Sequence, residues 1–180
     1  MKTINVEITG TTPLLMHSPK AMLEKKKGMT RKTEHYDPKE DAEKVAYRKA
    51  DGELYIPAAA LMGCLINAAS WKKLGKYAAR PIIAAAVRVE PFEIGLGTKD
   101  YEIDMRTVVV QRARIVRARP RLDKWKAKFK VIYNEKMIAD PTIIKEILVE
   151  GGERVGILDF SPRKLGSFGC FKVSEWKGAK

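Results

Sequence analysis

The sequence predicts an α+β sandwich, an antiparallel sheet with two helices packed on one of its faces. Three observations predict it. Residues 2–9 alternate Ile4, Val6 and Ile8 with Asn5, Glu7 and Thr9, and residues 124–131 alternate Lys124, Lys126, Lys128 and Lys130 with Trp125, Ala127, Phe129 and Val131. Successive residues of a strand point to opposite faces, so each segment reads as a half-buried strand. Between and after them stand two helix starts of one type, Asp37–Pro38 and Asp140–Pro141, each an N-cap acid followed by proline in the first turn.

Taken in order, the first strand ends at Gly10 and Pro13, with Leu14, Leu15 and Met16 prolonging it up to His17. Residues 20–36 hold Lys25, Lys26, Lys27, Gly28 and Arg31 but few core formers, and read as a mobile basic loop. A helix from Asp37 to about Lys49 offers Ala42, Val45 and Ala46 to a core, and Asp51–Gly52 turns the chain into a short strand at Leu54–Tyr55–Ile56. Pro57 then opens a second helix over 58–72, with Leu61, Cys64, Leu65, Ala68 and Trp71 at helical spacing and Gly75 as its stop. Residues 82–89 read as a buried strand, and 101–118 and 124–133 as two strands of a hairpin turning at 120–123. The helix over 142–149 carries Ile143, Ile144, Ile147 and Leu148 as an apolar stripe closed by Gly151–Gly152, and 168–173 alternate as a terminal strand. The order β, insertion, helix, β, β-hairpin, helix, β is that of a ferredoxin/RRM-like sheet with two helices on one face. On this reading residues 1–180 form a single domain, and 18–53 are an insertion holding the basic loop and a short helix.

The charge is concentrated in the hairpin. Residues 106–130 contain Arg106, Arg112, Arg114, Arg117, Arg119, Arg121, Lys124, Lys126, Lys128 and Lys130 against Asp123 alone, ten bases minus one acid, or +9 of the +13 net charge. Ordinary solvated faces mix both signs, so this concentration points to a polyanionic partner, nucleic acid before an acidic membrane surface. Arginine binds phosphate bidentately and lysine as a point charge. Arg112 and Arg114 differ in parity from Arg117, Arg119 and Arg121, so either the bases occupy both faces or a bulge re-phases the strand between Ile115 and Val116. The adjacent apolar pair favours the bulge. Trp125 shares its parity with Phe129 and Val131 and reads as core rather than as a stacking platform.

Other classes find less support. No apolar run approaches the ~18 residues of a membrane span, and 2–12 lack the apolar block of a signal peptide, so a cytoplasmic location is expected. Cys64 and Cys170 lie far apart without ligand-spaced partners, which predicts free thiols and no metal site. No phosphate-binding P-loop or nucleophile-elbow motif is present, and no cofactor is expected. Asp100, Glu102 and Asp104 alternate on one strand face and read as counter-charge to the neighbouring arginines more readily than as Mg²⁺ ligands. His17 and His35 are the only histidines, and either of them, or His35 with Tyr36, is a weak candidate for acid–base chemistry.

Three segments together carry a resemblance. They are Thr12–Pro13–Leu14–Leu15 at the end of the first strand, Leu54–Tyr55–Ile56–Pro57 leading into the helix that starts at Ala58, and the glycine-rich run from Arg163 and Lys164 through Gly166, Phe168 and Gly169 to Val173. They resemble the RAMP superfamily, the RRM-like folds from which CRISPR crRNA-binding backbone and processing subunits are built. There an I-P-G-S-S-x-K-G element opens a helix, and a glycine-rich loop precedes the last strand. Residues 56–63 here keep only Pro57 and Gly63 and lose the Gly, Ser and Lys. The chain is also similar to small phage and prophage proteins with an Asp-Pro helix start and a closely spaced Gly–Phe ending. The resemblance implies RNA binding and subunits repeated along a strand.

The expectation is therefore a largely sequence-independent binder of single-stranded nucleic acid, RNA ahead of DNA, with a homo-oligomer along the strand. The basic hairpin and the glycine-rich ending (Arg163, Lys164, Gly166, Phe168, Gly169) would hold the backbone. Glycine N–H groups would reach phosphates, and Lys25, Lys26, Lys27 and Arg31 would close over the strand. Alternatives are a metal-independent RNA-processing endonuclease using His35 or His17, and a phage structural or inhibitory protein whose basic face binds an acidic protein partner.

Overall fold

A computed structural model describes residues 1–19, 36–110 and 112–178. Its centre is a four-stranded antiparallel sheet of β1 (Lys2–Gly10), β6 (Val87–Glu90), β10 (Lys126–Tyr133) and β11 (Phe171–Gly178), in the spatial order β11–β1–β10–β6. Counting only these strands in chain order, the arrangement is 4-1-3-2, which is the ferredoxin/RRM-like sheet that the alternating segments predicted. β1 lies between β11 and β10, and its Ile4, Val6 and Ile8 face the helices. β10 contributes Ala127, Phe129, Val131 and Tyr133 to the same side, and β6 contributes Val87 and Val89.

The helical layer holds three helices rather than two. α2 (Ala58–Ala68) buries Leu61, Cys64, Leu65 and Ala68, and α4 (Thr142–Glu150) buries Ile144, Ile147 and Leu148. Between them in sequence, α3 (Ala79–Ala86) occupies most of what reads as strand in 82–89. The strand begins only at Val87, because Ile83 and Ala86 fall on one helical face while the run of three alanines favours helix over β-branched extension. Gly151–Gly152 do not stop α4. Residues Gly151–Val155 continue as a π-turn, and the reversal comes at Gly156, with φ at +65°. α1 (Pro38–Lys44), capped by Asp37 through the Lys39 N–H at 2.8 Å, is shorter than expected. All these side chains join in one continuous apolar core.

The largest correction concerns the basic hairpin. β10 is central, as expected, but it does not pair with the arginine strand. β8 (Glu102–Val110) and β9 (Ala113–Leu122) pair with each other, from Glu102 opposite Arg121 to Val110 opposite Ala113, so the hairpin does not turn at 120–123. With the short β2 (Leu14–Leu15) they form a separate sheet in the order β2–β9–β8. The segment between β6 and β10 is therefore a second insertion, which also contains β7 (Glu93–Gly95) paired with β3 (Tyr55–Pro57). No bulge interrupts the β8–β9 register, so the bases occupy both faces of the hairpin.

Trp125 is core, as its parity predicts. Its indole Nε1 donates to the Thr12 carbonyl at 2.9 Å, and its ring meets Phe171 edge-on at 6.3 Å. Gly10 makes room for it, since a Cβ there would lie 2.1 Å from Nε1. Gly10→Ala is expected to cost about 1–3 kcal/mol through forced displacement of the indole, read as a lower urea midpoint with a shifted tryptophan emission.

Candidate nucleic-acid interface

The hairpin has two halves of different character. In the proximal half Asp104 and Arg119 face one another across the strands, 6% and 8% exposed. Arg106 donates to both Asp104 oxygens, at 2.6 and 3.1 Å, and its guanidinium lies over the rings of Phe168 (4.7 Å) and Phe160 (5.6 Å). Arg119 approaches Asp159 at 3.3 Å, and Arg121 pairs with Glu102 at 2.6 Å and Asp123 at 2.8 Å. Arg117 meets Asp41 of α1 at 3.4 Å, and the Ala118 N–H donates to the same carboxylate at 3.0 Å. Four of the six arginines are thus engaged at the arm's base, three of them (Arg106, Arg117 and Arg119) in contacts with the body and Arg121 in ion pairs within the hairpin. Glu102 and Asp104 act as counter-charge, and among the described residues no group of three or more potential metal ligands occurs.

The distal half is exposed on the face that carries Thr107, Val109, Arg114 and Val116, whereas Val108 and Ile115 on the other face are half-buried. Arg112 sits in the turn with φ at +68°, a left-handed conformation that costs a non-glycine residue about 1–2 kcal/mol. Among the described residues neither Arg112 nor Arg114 pairs with a carboxylate. The distal hairpin therefore presents free guanidinium groups on a two-stranded arm, whose ten-residue strand β9 spans about 34 Å.

At the arm's base lies a cavity of about 360 Å³ between the start of α2 and the segment after α4. Pro57, Ala59 and Ala60 form one wall, and Arg163, Lys164 and His17 contribute to the other. The first turn of α2 has no acidic residue, and Pro57 provides no side-chain cap, so the positive end of the helix dipole is not neutralised locally. Small side chains there let a ligand come close to the backbone. Lys164 Nζ is held by Asp159 at 3.1 Å, which also faces Arg119. Burial alone would raise the Asp159 carboxyl, but Lys164, Arg119 and His17 together hold it below the ordinary carboxylate range. Burial pushes His17 below its ordinary value of 6.5 despite Asp159, with Arg119 and Lys164 adding to the effect, and its Nδ1 is buried without a hydrogen-bond partner. A second cavity of about 680 Å³ balances Asp100, Glu102 and Asp123 against Arg121, Lys124 and Lys126, and so favours an anion less.

The other predicted residues fall elsewhere. Lys124 is exposed in the turn before β10, and Lys126, Lys128 and Lys130 line the open face of the central sheet, away from the helices, with Lys128 paired to Glu7 at 3.1 Å. The glycine-rich segment is tied to its own fold. The Gly166 N–H donates to the Ser161 carbonyl, that of Phe168 to Phe160, that of Gly169 to Pro13, and that of Cys170 to the Thr12 hydroxyl. A Cβ at Gly169 would lie 2.1 Å from the Ile157 carbonyl oxygen, so the glycine serves close backbone packing. Phe168 and Phe171 are both buried. Tyr36 is exposed and donates to Asp41 at 3.2 Å. Lys25, Lys26, Lys27, Arg31 and His35 lie outside the described residues. Cys64 is buried, its thiol pushed up to about 12 by burial, and Cys170 is partly exposed and also free. Asp159 escaped the sequence reading, although its position in Asp159–Phe160–Ser161–Pro162 just before Arg163 was a visible signal.

No family model matches the sequence, and no curated protein matches it. Among solved structures, the chain is similar to one in "Cryo-EM structure of the Type III-B Cmr-beta bound to cognate target RNA", with a TM-score of 0.62 at 17% identity. The match covers 99% of this chain and 61% of the other, so this chain spans about three-fifths of its relative's length. The likeness establishes the fold, a ferredoxin/RRM-like α+β architecture, over 99% of the sequence. No helix among the described residues is long and apolar enough to cross a membrane.

Removing Asp159 leaves Arg119 as a buried unpaired charge. Asp159→Ala is therefore expected to cost about 3–5 kcal/mol, measured by urea unfolding, whereas the exposed turn variant Arg112→Gly should unfold at the wild-type midpoint or above it. His17 supplies a pH signature. Its folded-state value lies below 6.5, so the unfolded chain binds more protons as pH falls from about 6.5 and stability declines across that window. Thermal melts between pH 7.5 and 5 should show this slope in the wild type and a shallower one in His17→Gln.

Proposed function

We propose that the protein binds single-stranded RNA with little sequence preference, gripping the phosphate backbone by charge. The observation that carries this reading is the cavity at the start of α2, which no side chain caps, faced by Arg163 and Lys164 and flanked by an arm that ends in unpaired Arg112 and Arg114. Backbone N–H groups at a helix N-terminus and nearby cations suit a phosphate. The paired arginines at the arm's base keep the two elements in a fixed relation. That the similar chain belongs to a structure bound to target RNA supports RNA over DNA. The open sheet face lacks exposed aromatics on β1, β6 and β10, so stacking there contributes little, and Lys126, Lys128 and Lys130 act as a diffuse electrostatic field.

A second reading, metal-independent RNA cleavage, is favoured by one observation. His17 lines the cavity beside Lys164, and burial keeps its imidazole in the neutral form that can accept a 2′-hydroxyl proton.

One experiment separates these readings. Matched ssRNA, ssDNA and duplexes are titrated across salt in EDTA, with wild type, Arg112→Ala/Arg114→Ala and Lys164→Ala. Binding through several phosphates should weaken steeply with salt, and the double variant should reduce the slope of log K against log salt by about 1.4. Specific cleavage lost in His17→Ala would establish the second reading. No binding of RNA or DNA at low salt overturns both, and leaves an acidic protein, as for a phage structural or inhibitory protein, as the partner of the basic face.

A further inference from the structure

A second basic surface stands at the far end of α2. Between Glu53 and Glu90 the sequence contains no acid, yet it holds Lys72, Lys73, Lys76, Arg80 and Arg88. After α2 a short 3-10 turn ends at Trp71, and β4 (Lys73–Leu74) and β5 (Tyr77–Ala78) form a tight hairpin around Gly75, whose φ is +60°. Leu74 packs against the core and Ala79 is buried, which anchors the hairpin at both sides. Its remaining large side chains point outward. Trp71 is 58% exposed and Tyr77 73% exposed, with Lys73, Lys76 and Arg80 also exposed. Lys72 is partnered by Glu150 at 2.8 Å and Glu146 at 3.7 Å, whereas among the described residues Lys73, Lys76 and Arg80 pair with no carboxylate.

A large indole and a phenol left in solvent need a reason, and their setting narrows it. Protein interfaces are depleted in lysine, whereas aromatic rings set among unpaired cations fit a single strand, whose bases stack while its phosphates are neutralised. The eleven residues of α2 separate this hairpin from the helix start that opens on the cavity by about 16 Å. We propose that the β4–β5 hairpin is a second contact for the same single-stranded RNA, with Trp71 and Tyr77 stacking on bases and Lys73, Lys76 and Arg80 meeting the backbone. This rests on the RNA-binding reading and assigns to the far end of α2 the stacking that the cavity and the open sheet face lack.

The test uses the full chain and an oligouridine of about 16 nucleotides, the upper end of single-module site sizes. Wild type, Trp71→Ala/Tyr77→Ala, Lys73→Glu/Lys76→Glu and Arg112→Ala/Arg114→Ala are titrated at several salt concentrations, after thermal melts confirm folding. Loss of stacking should weaken binding roughly 5- to 100-fold with the salt slope unchanged, while the lysine variant should lower the slope as well. Photocrosslinking with 4-thiouridine should place adducts on Trp71 or Tyr77. Wild-type affinity in the aromatic variant overturns the proposal, as does a change confined to particle mass in light scattering, which would identify a protein-binding surface. If Arg112→Ala/Arg114→Ala weakens binding and the aromatic variant does not, this proposal alone fails. If wild type binds no RNA, the RNA-binding reading fails with it.

Discussion

The buried charge junction at Asp159 and Asp104 is the constraint on which the rest of the interface depends. Asp159 sits between Arg119 of the arm and Lys164 beside the cavity, and Asp104 holds Arg106 flat over Phe160 and Phe168. An arm whose distal half buries no large side chain fully has little apolar packing of its own out there, so its direction must be set at its base. Dispersion alone would do this weakly, because few large apolar side chains of β8 and β9 are fully buried. Charge in a low-dielectric setting does it strongly, since leaving Arg119 or Asp104 unpaired costs several kcal/mol. Arg119 still has Nε and Nη1 without hydrogen-bond partners, so the junction favours one orientation more than it maximises stability.

This division of labour changes the meaning of the positive charge. A count of +9 over 25 residues suggests one continuous landing strip for a polyanion. In the fold those bases separate into three populations. Arg106, Arg117, Arg119 and Arg121 are neutralised by carboxylates, Lys124, Lys126, Lys128 and Lys130 face solvent on β10 and the turn before it, and Arg112 and Arg114 remain free at the arm's end. Only the last group is both unpaired and projected on a separate element. The glycines divide similarly, because Gly166 and Gly169 meet neighbouring backbone rather than open space.

How much was legible in the sequence follows from the range of the forces involved. Period-two alternation marked β1 and β10, with Ile4, Val6 and Ile8 and with Phe129 and Val131 buried as predicted, because one-sided burial against a helical layer writes itself directly into a strand. The acid–proline pairs marked the starts of α1 and α4, since capping is decided within one turn. Residues 82–86 were misread as strand because a short apolar run suits either a buried strand or a helix. The hairpin turn was misplaced at Pro120, a natural turn residue that instead lies buried in β9 opposite Ile103. The actual reversal holds Arg112 at positive φ, where sequence preference would place glycine or asparagine.

By itself, then, the sequence determined the ferredoxin-like order of elements, the burial of Trp125, and the excess of positive charge, all of which depend on neighbours within a few residues or on composition. Tertiary structure alone decided which cations are free and which are spent in ion pairs, because Asp41 and Asp159 reach Arg117 and Arg119 from different parts of the chain. It also decided that the arginine strands leave the central sheet, since strand pairing is chosen by competition among distant edges. The cavity at the start of α2 arises in the same way, from bringing His17, Pro57 and Arg163 together across nearly the whole length of the sequence.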